Sequence, residues 1–292
     1  MTERRQRARV QGGWARAPAA RLAATAPSAA PKAPVASSLA PAGTRPAWMR
    51  KDQPPTQKQF VFEKPAEVER RVPEERLIDQ PGVYELSQGP TGISRIHLVP
   101  CFIDSEQASW MFEQLLQDIP WGQRTHIRQG VSFEEPRLTC WYGELPYTYS
   151  RVTMQPNPNW HPVLSMLKEQ VEEFTGCSFN SLLCNLYRDE HDSVAWHSDN
   201  EPALGTSPLI ASLSLGASRC FQLRKKPSLE ENGDYTYVAR VRVPLAHGTL
   251  LLMEGATQED WQHRVPKEFH SRESRINLTF RNISPEADGV WK

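Results

Sequence analysis

No run of about 18 apolar residues occurs anywhere in this 292-residue chain, so no membrane-spanning helix is expected. Cysteine is scarce and unpaired in its pattern. Cys101, Cys140, Cys177, Cys184 and Cys220 are odd in number, and no CxxC occurs. That argues against a disulfide framework and a cysteine zinc site, and for a reducing compartment. The opening "MTERRQRARVQGGWARAP" lacks the apolar core of a secretory signal. No internal repeat is visible. Net charge is zero, 34 Lys and Arg against 34 Asp and Glu, so no global excess points to a partner.

The zero hides an uneven spread. Residues 1–60 carry 11 basic against 2 acidic groups, a balance of +9, and the remainder carries 23 against 32, or −9. Ten of the 25 prolines fall before residue 75. Such a segment buries too little apolar surface to offset its ordering entropy. Residues 1–70 therefore read as a disordered, basic, Pro/Ala-rich arm. Its Arg/Ala/Ser-rich, acid-poor character suits a nuclear-targeting or nucleic-acid-contacting arm, with a mitochondrial transit segment as the minor alternative. The length suggests one large domain with tails, or two small domains.

"FIDSEQASWMFEQLLQDIPW" predicts a helix with Asp104 as N-cap and a stripe of Ala108, Met111, Leu115, Leu116 and Ile119. "HPVLSMLKEQVEEFTG" predicts a second, with Pro162 in the first turn and Gly176 as the C-terminal cap. Its expected buried stripe is Val163, Met166, Leu167, Val171 and Phe174. From residue 178 the pattern changes to short runs with period two, separated by Gly, Pro and Asn. These include "FNSLLCNLY", "LIASLSLG", "CFQLRKK", "YTYVARVRVPL", "GTLLLMEG" and "SRINLTFRNI". The fold class is α+β, mainly β, with a sandwich or jelly roll as the core. The expected divisions are an arm over 1–70, supporting helices and a lid over 71–177, the core over 178–284 and a tail over 285–292.

Within "AWHSDNEP", His197 and Asp199 stand two apart. In an extended chain residues i and i+2 share a face, so an imidazole and a carboxylate aim at one point. Alone the pair is weak, since His-x-Asp arises by chance in many proteins. A distant histidine completes a two-histidine, one-carboxylate facial triad of the non-heme iron type. His263 in "WQHRVP" follows an apolar strand and is the first choice; His247 comes next, and His191 lies too close. In "SRINLTFRNI", Arg275, Asn277, Thr279 and Arg281 share one face. Two arginines on an apolar strand are costly to bury without anions. A dicarboxylate co-substrate would supply that charge through bidentate contacts. Asn185 and Tyr187 share a face in "FNSLLCNLY" and suit the same carboxylates.

At these residues the sequence resembles the AlkB family: "NLY" at 185–187, "WHSD" at 196–199, "WQHRVP" at 261–266 and "RINLTFR" at 275–281. The likeness runs from about residue 60 to 284. It implies a double-stranded β-helix with supporting helices and an N-terminal nucleotide-recognition lid. It implies Fe(II) on His197, Asp199 and His263, which together form the catalytic centre. It also implies 2-oxoglutarate held by Asn185, Tyr187, Asn277, Arg275 and Arg281, with O2 as the other co-substrate. Arg275 is expected at the distal carboxylate and Arg281 at the end near the metal. The implied activity is oxidative removal of N-methyl groups from 1-methyladenine and 3-methylcytosine in single-stranded DNA and RNA. Formaldehyde, succinate and CO2 are the products, and the process is DNA alkylation repair.

A base must leave its stack to reach a buried metal, and single strands are held by aromatics and cations. Trp121, Arg124, His126, Arg128, Arg137, Trp141, Tyr142, Tyr147 and Tyr149 supply such groups, several of which are equally suited to the core. Trp121, Arg137, Tyr147, Tyr149, Asn200 and Glu201 are the expected substrate contacts, and Arg224, Lys225 and Lys226 a basic cluster. Asn200 departs from the family pattern, in which an acid follows the ligand aspartate. It is expected either to weaken the preference for cationic bases or to be a loop residue facing water. A monomer in nucleus and cytoplasm is expected, and the resemblance implies a helicase partner from the activating signal cointegrator complex. Competing readings are a 2-oxoglutarate hydroxylase of a protein or small molecule, a non-catalytic nucleic-acid-binding paralogue, and a zinc hydrolase, which would leave the arginine pair without a role.

Overall fold

The computed structural model describes residues 71–128, 131–149 and 152–285. The chain divides into units 1–65 and 66–292, and every described residue belongs to the second. The expected arm and tail residues 286–292 lie outside the described residues.

Fifteen strands and three helices follow one another in the described part. The strands are β1 (Arg76–Leu77), β2 (Gly82–Gly89), β3 (Gly92–Val99), β4 (Gly122–Arg128), β5 (Val131–Gly143), β6 (Tyr147–Tyr149), β7 (Val152–Met154), β8 (Ser181–Tyr187), β9 (Val194–His197), β10 (Ile210–Gly216), β11 (Arg219–Lys225), β12 (Arg240–Leu245), β13 (Thr249–Gly255), β14 (Trp261–Val265) and β15 (Arg275–Arg281). The helices are α1 (Ser105–Asp118), α2 (Pro162–Thr175) and α3 (Thr257–Asp260).

An eight-stranded sheet runs β2-β3-β13-β10-β15-β8-β5-β4, and a five-stranded sheet runs β1-β12-β11-β14-β9. They make a jelly-roll-like core of mainly antiparallel strands, as the short alternating runs predict. Strands N-terminal to residue 178 join both sheets, so 178 is no boundary within them. Period-two alternation spreads the large sheet over two cores. Leu182, Cys184 and Leu186 of β8, and Ile276, Leu278 and Phe280 of β15, pack with Met111 and Leu115 of α1 and Val163, Leu164, Leu167 and Val171 of α2. On the other side Tyr187, Ile210 and Met253 meet Phe221, Leu223, Val241, Val243 and Val265 from the small sheet.

Asp104 caps α1 by accepting from the Glu106 and Gln107 amides, and Gly176 closes α2 in the left-handed conformation. The α2 stripe is shifted from expectation. Leu164 is buried, whereas Met166 and Phe174 are exposed, because the face towards the sheet runs through 163, 164, 167 and 171. Gly255 sits at φ 60°, and a Cβ there would lie 2.1 Å from the Ile93 carbonyl oxygen. Only glycine lets β13 turn so closely beside β3 before the chain enters α3 and β14.

Candidate active site

β9 and β14 pair with His197 opposite His263. This register delivers the two imidazoles to one place, with ring centroids 4.2 Å apart. Asp199 follows two residues beyond His197, just past the strand end. Its amide donates to Gln258 Oε1 at 3.0 Å, and Ser198 Oγ donates to the Trp261 carbonyl at 2.7 Å, so the turn is tied to β14. The ligand atoms of His197, Asp199 and His263 all lie within 4.8 Å of one another. Among the described residues one other group of this kind occurs, Asp189, Glu190 and His191, which is partly exposed to solvent. His247 instead accepts from the Gly216 amide and contacts Ser109, so it serves a loop.

The triad fits a metal ion on its own chemistry. His197 Nδ1 donates to the Ala195 carbonyl at 2.8 Å, which leaves Nε2 with its lone pair. Asp199 Oδ2 accepts from Arg281 Nη2 at 2.7 Å and from Nε at 3.2 Å, whereas buried Oδ1 has no hydrogen-bond partner and lies 3.8 Å from His197 Nε2. Burial pushes His263 down to about 3, helped by the neighbouring His197, and burial likewise lowers His197. Both imidazoles are therefore neutral and ready to coordinate near pH 7. Burial alone would raise Asp199, but the Arg281 guanidinium outweighs it and holds the carboxyl below its usual range.

Beside the triad, β8 and β15 supply a polar stripe in register. Tyr187 faces Arg275, and Asn185 faces Asn277. Arg137 Nε donates to Asn185 Oδ1 at 2.9 Å, and Asn277 donates to Ser212 Oγ at 2.8 Å. The chamber so formed is lined by Arg137, Asn185, Tyr187, Asn277 and Arg281 together with the three ligands. Arg275 lies at its Tyr187 end, with Cζ 5.2 Å from that ring's centroid, and donates to Ser214 Oγ at 2.9 Å. Its Nε and Nη1 are buried with no hydrogen-bond partner. Burial pulls this guanidinium down to about 10. Two unpartnered donors in a closed polar stripe fit a carboxylate, and the triad at the other end fits a second, metal-chelating one. Arg281 is the arginine near the metal end and Arg275 the distant one.

An outer groove of about 460 Å³ opens beside His197 and shares Arg137, Val194 and His197 with the chamber. His126, Phe133, Glu135, Trp196, Arg264 and Lys267 also line it. The expected substrate contacts divide. Arg137 lies in the groove. Trp121 packs against the helix-side core and donates from Nε1 to the Leu116 carbonyl, so it is not brought to the site. Trp141 and Tyr142 are buried, and Tyr147 stacks on Trp141 at 4.8 Å and donates to Glu201 Oε2 at 2.9 Å. Tyr147 and Glu201 thus brace the Asp199 turn rather than line the groove. Burial, then Asp199, raises Glu201. Asn200 is exposed and lines neither cavity, which matches the water-facing reading. The backbone of Tyr149 pairs with Val152, while its side chain and that of Arg128 lie outside the described residues.

Sequence reasoning missed Glu135, Phe133 and Trp196. Glu135 is 5 % exposed, with Oε1 against His126 and Oε2 at 3.5 Å from Arg137 Nη2. The available signal is the acid in "FEEPRLT", two residues before Arg137.

The family model for the 2OG-Fe(II) oxygenase superfamily matches residues 95–281. The chain is 62 % identical to the Bos taurus alpha-ketoglutarate-dependent dioxygenase alkB homolog 3 over 99 % of both chains, and 60 % identical to the Homo sapiens protein of that name, again over 99 % of both. It is 37 % identical to the Homo sapiens DNA oxidative demethylase ALKBH2, over 61 % of this chain and 69 % of that protein. At such identity over nearly its whole length, this chain belongs to the 2OG-Fe(II) oxygenase superfamily and, within it, to the AlkB family of dioxygenases.

Proposed function

We propose that the chain removes N-methyl groups oxidatively from bases of single-stranded DNA and RNA, with 1-methyladenine and 3-methylcytosine as its targets. As a 2OG-Fe(II) oxygenase it uses Fe(II), with 2-oxoglutarate and O2 as co-substrates. When bound, the iron couples oxidative decarboxylation of 2-oxoglutarate to oxidation of the methyl group, giving succinate, CO2, formaldehyde and the restored base. The protein's part is placement. His197, Asp199 and His263 would hold the metal, and Arg281 keeps Asp199 ionised and oriented. Arg275 and Tyr187 would take the distal carboxylate, and the Arg137–Asn185–Asn277 stripe lines the path between.

The observation that carries the substrate reading is the groove beside His197. Phe133 and Trp196 bring aromatic rings to its wall, which suit an unstacked base, and Glu135, held by His126 and Arg137, brings an acid that suits a cationic one. The names of the relatives, DNA oxidative demethylase among them, agree with this reading. The test is formaldehyde release from 3-methylcytosine in a single-stranded oligonucleotide. Release in step with succinate is expected; 2-oxoglutarate turnover with no loss of methyl from any strand would favour the protein or small-molecule hydroxylase instead. To the same proposal belong a monomeric state, a nuclear and cytoplasmic location, and strand supply by a helicase such as that of the activating signal cointegrator complex.

A further inference from the structure

The inner residues of the small sheet, Phe221, Leu223, Val241, Val243 and Val265, are apolar and buried. The alternating outer residues are Gln222 and Arg224 on β11, Arg240 and Arg242 on β12, and Gln262 and Arg264 on β14. The register aligns them in two rows across the strands: Arg264, Gln222 and Arg242 in one, and Gln262, Arg224 and Arg240 in the other. Four arginines therefore share one sheet face.

Three of these four cations are held without an acid among the described residues. Among the described residues no carboxylate lies within ion-pair distance of Arg224, Arg240 or Arg264; only Arg242 has one, Glu75 at 3.6 Å. Neutral amides take their place. Arg224 donates twice to Gln262 Oε1, at 2.9 and 2.7 Å, and Arg264 donates to Gln222 Oε1 at 2.8 Å. Aromatic rings complete the setting: Arg224 Cζ lies 4.4 Å and Arg264 Cζ 4.5 Å from the Trp196 centroid, and Arg224 Cζ lies 3.5 Å from that of Tyr235. Burial, and then repulsion by Arg240, pulls both Arg224 and Arg264 below the ordinary arginine value. A row of mutually repelling, fixed guanidinium groups is suited to an incoming polyanion.

The face is continuous with the active-site groove. Trp196 and Arg264 line that groove, and Trp196 precedes the metal ligand His197 by one residue. From β9 across β14 and β11 to β12 is three strand spacings, about 14 Å. The chain beyond residue 60 is otherwise acidic, 23 basic against 32 acidic groups, so this patch stands against the general field.

We infer that the outer face of β9, β14, β11 and β12 is a second nucleic-acid contact surface, which grips the phosphates of a single strand flanking the base in the groove. The inference rests on the nucleic-acid reading of the active site. It assigns the arginines to affinity for long strands, independent of sequence, and gives them no part in the chemistry.

The test is fluorescence anisotropy with a labelled, unmethylated 20-nucleotide DNA strand across a range of salt concentrations. The double variant Arg240→Gln/Arg242→Gln should bind about tenfold more weakly, and its log–log salt slope should be shallower by about 1.4, since each phosphate contact on a single strand contributes ~0.7. The Lys counterparts should restore most of both. Glu75→Gln, which removes the acid beside Arg242, should tighten binding, a gain that misfolding cannot mimic. Turnover of a methylated trinucleotide should be unchanged in the double variant. Wild-type-like affinity and slope in the double variant would overturn the inference alone. So would an equal loss on the trinucleotide. Failure of the wild type to bind any strand would overturn the nucleic-acid reading with it.

Discussion

Arg281 grips one oxygen of Asp199, at 2.7 Å through Nη2 and 3.2 Å through Nε, and leaves the other oxygen, Oδ1, without a hydrogen-bond partner beside two neutral imidazoles. One carboxylate is thereby divided between the scaffold and the metal position. The division depends on strand register: β15 carries Arg281, and β9 ends just before Asp199.

Replacing Arg281 should separate these two roles. Arg281→Ala strands a buried carboxylate and should destabilise the metal-free protein by about 3 kcal/mol or more. Arg281→Lys keeps the charge but loses the fork and should weaken metal binding about tenfold with a smaller loss of stability. Denaturant unfolding and anaerobic Mn(II) titration measure the two effects. Unchanged metal affinity in the Lys variant would remove Arg281 from the site.

The metal-free protein should lose stability as pH falls below neutrality. Burial holds His263 at about 3 in the folded state against 6.5 in an ordinary environment. Above ~6.5 neither state is protonated there and the group contributes no pH dependence. Below it the unfolded chain takes up a proton that the folded chain refuses, so stability declines until the folded imidazole also titrates. The loss is about 2 kcal/mol at pH 5. His197, also lowered, acts in the same direction, as does Asp199 once the pH drops below the usual carboxylate range. Melting of chelator-treated protein between pH 7 and 5 should show the decline, and His263→Gln should flatten it. A flat profile for the wild type is the contrary result.

Arg275 should report on 2-oxoglutarate alone. Two buried donors with no hydrogen-bond partner make Arg275→Gln costly for the co-substrate, raising its KM about a hundredfold, equivalent to ~3 kcal/mol. The KM for the methylated strand should change little. Equal rises in both would place Arg275 elsewhere in the mechanism.

Lesion preference should follow Glu135 and not Asn200. Glu135→Gln should lower kcat/KM on 3-methylcytosine about tenfold relative to a neutral methylated base, a difference of ~1.4 kcal/mol in transition-state binding. Asn200→Asp, on an exposed position outside both cavities, should leave that ratio where it was. The reverse pattern would return the base-reading role to residue 200.

The metal ligands and the arginine stripe were legible in the sequence because each rests on a local period. His197 and Asp199 are two apart at a strand end, and Arg275, Asn277, Thr279 and Arg281 alternate with Ile276, Leu278 and Phe280, which pack on the helices. The helix caps were legible for the same reason. The groove was not, because it is made by pairing over long separations. Phe133 and Glu135 reach His197 only because β5 adds to β8, and Trp196 gains its arginines only through the β9-β14-β11 order. Composition could not tell which aromatics of "CWYGELPYTY" face a cavity. Trp121, Trp141 and Tyr147 went to core packing, where a tryptophan or tyrosine buries the most area, with Trp121 and Tyr147 satisfying their polar atoms on Leu116 and Glu201.

Coupling of 2-oxoglutarate turnover to loss of a base methyl group at this site meets its most direct test in a stoichiometry. Formaldehyde, succinate and restored cytosine should be counted together on a single-stranded DNA carrying one 3-methylcytosine. The expected result is one of each per turnover, abolished by iron chelation and by His197→Ala. Succinate formed at the same rate whether or not the strand carries the methyl group, with no cytosine restored, would contradict it.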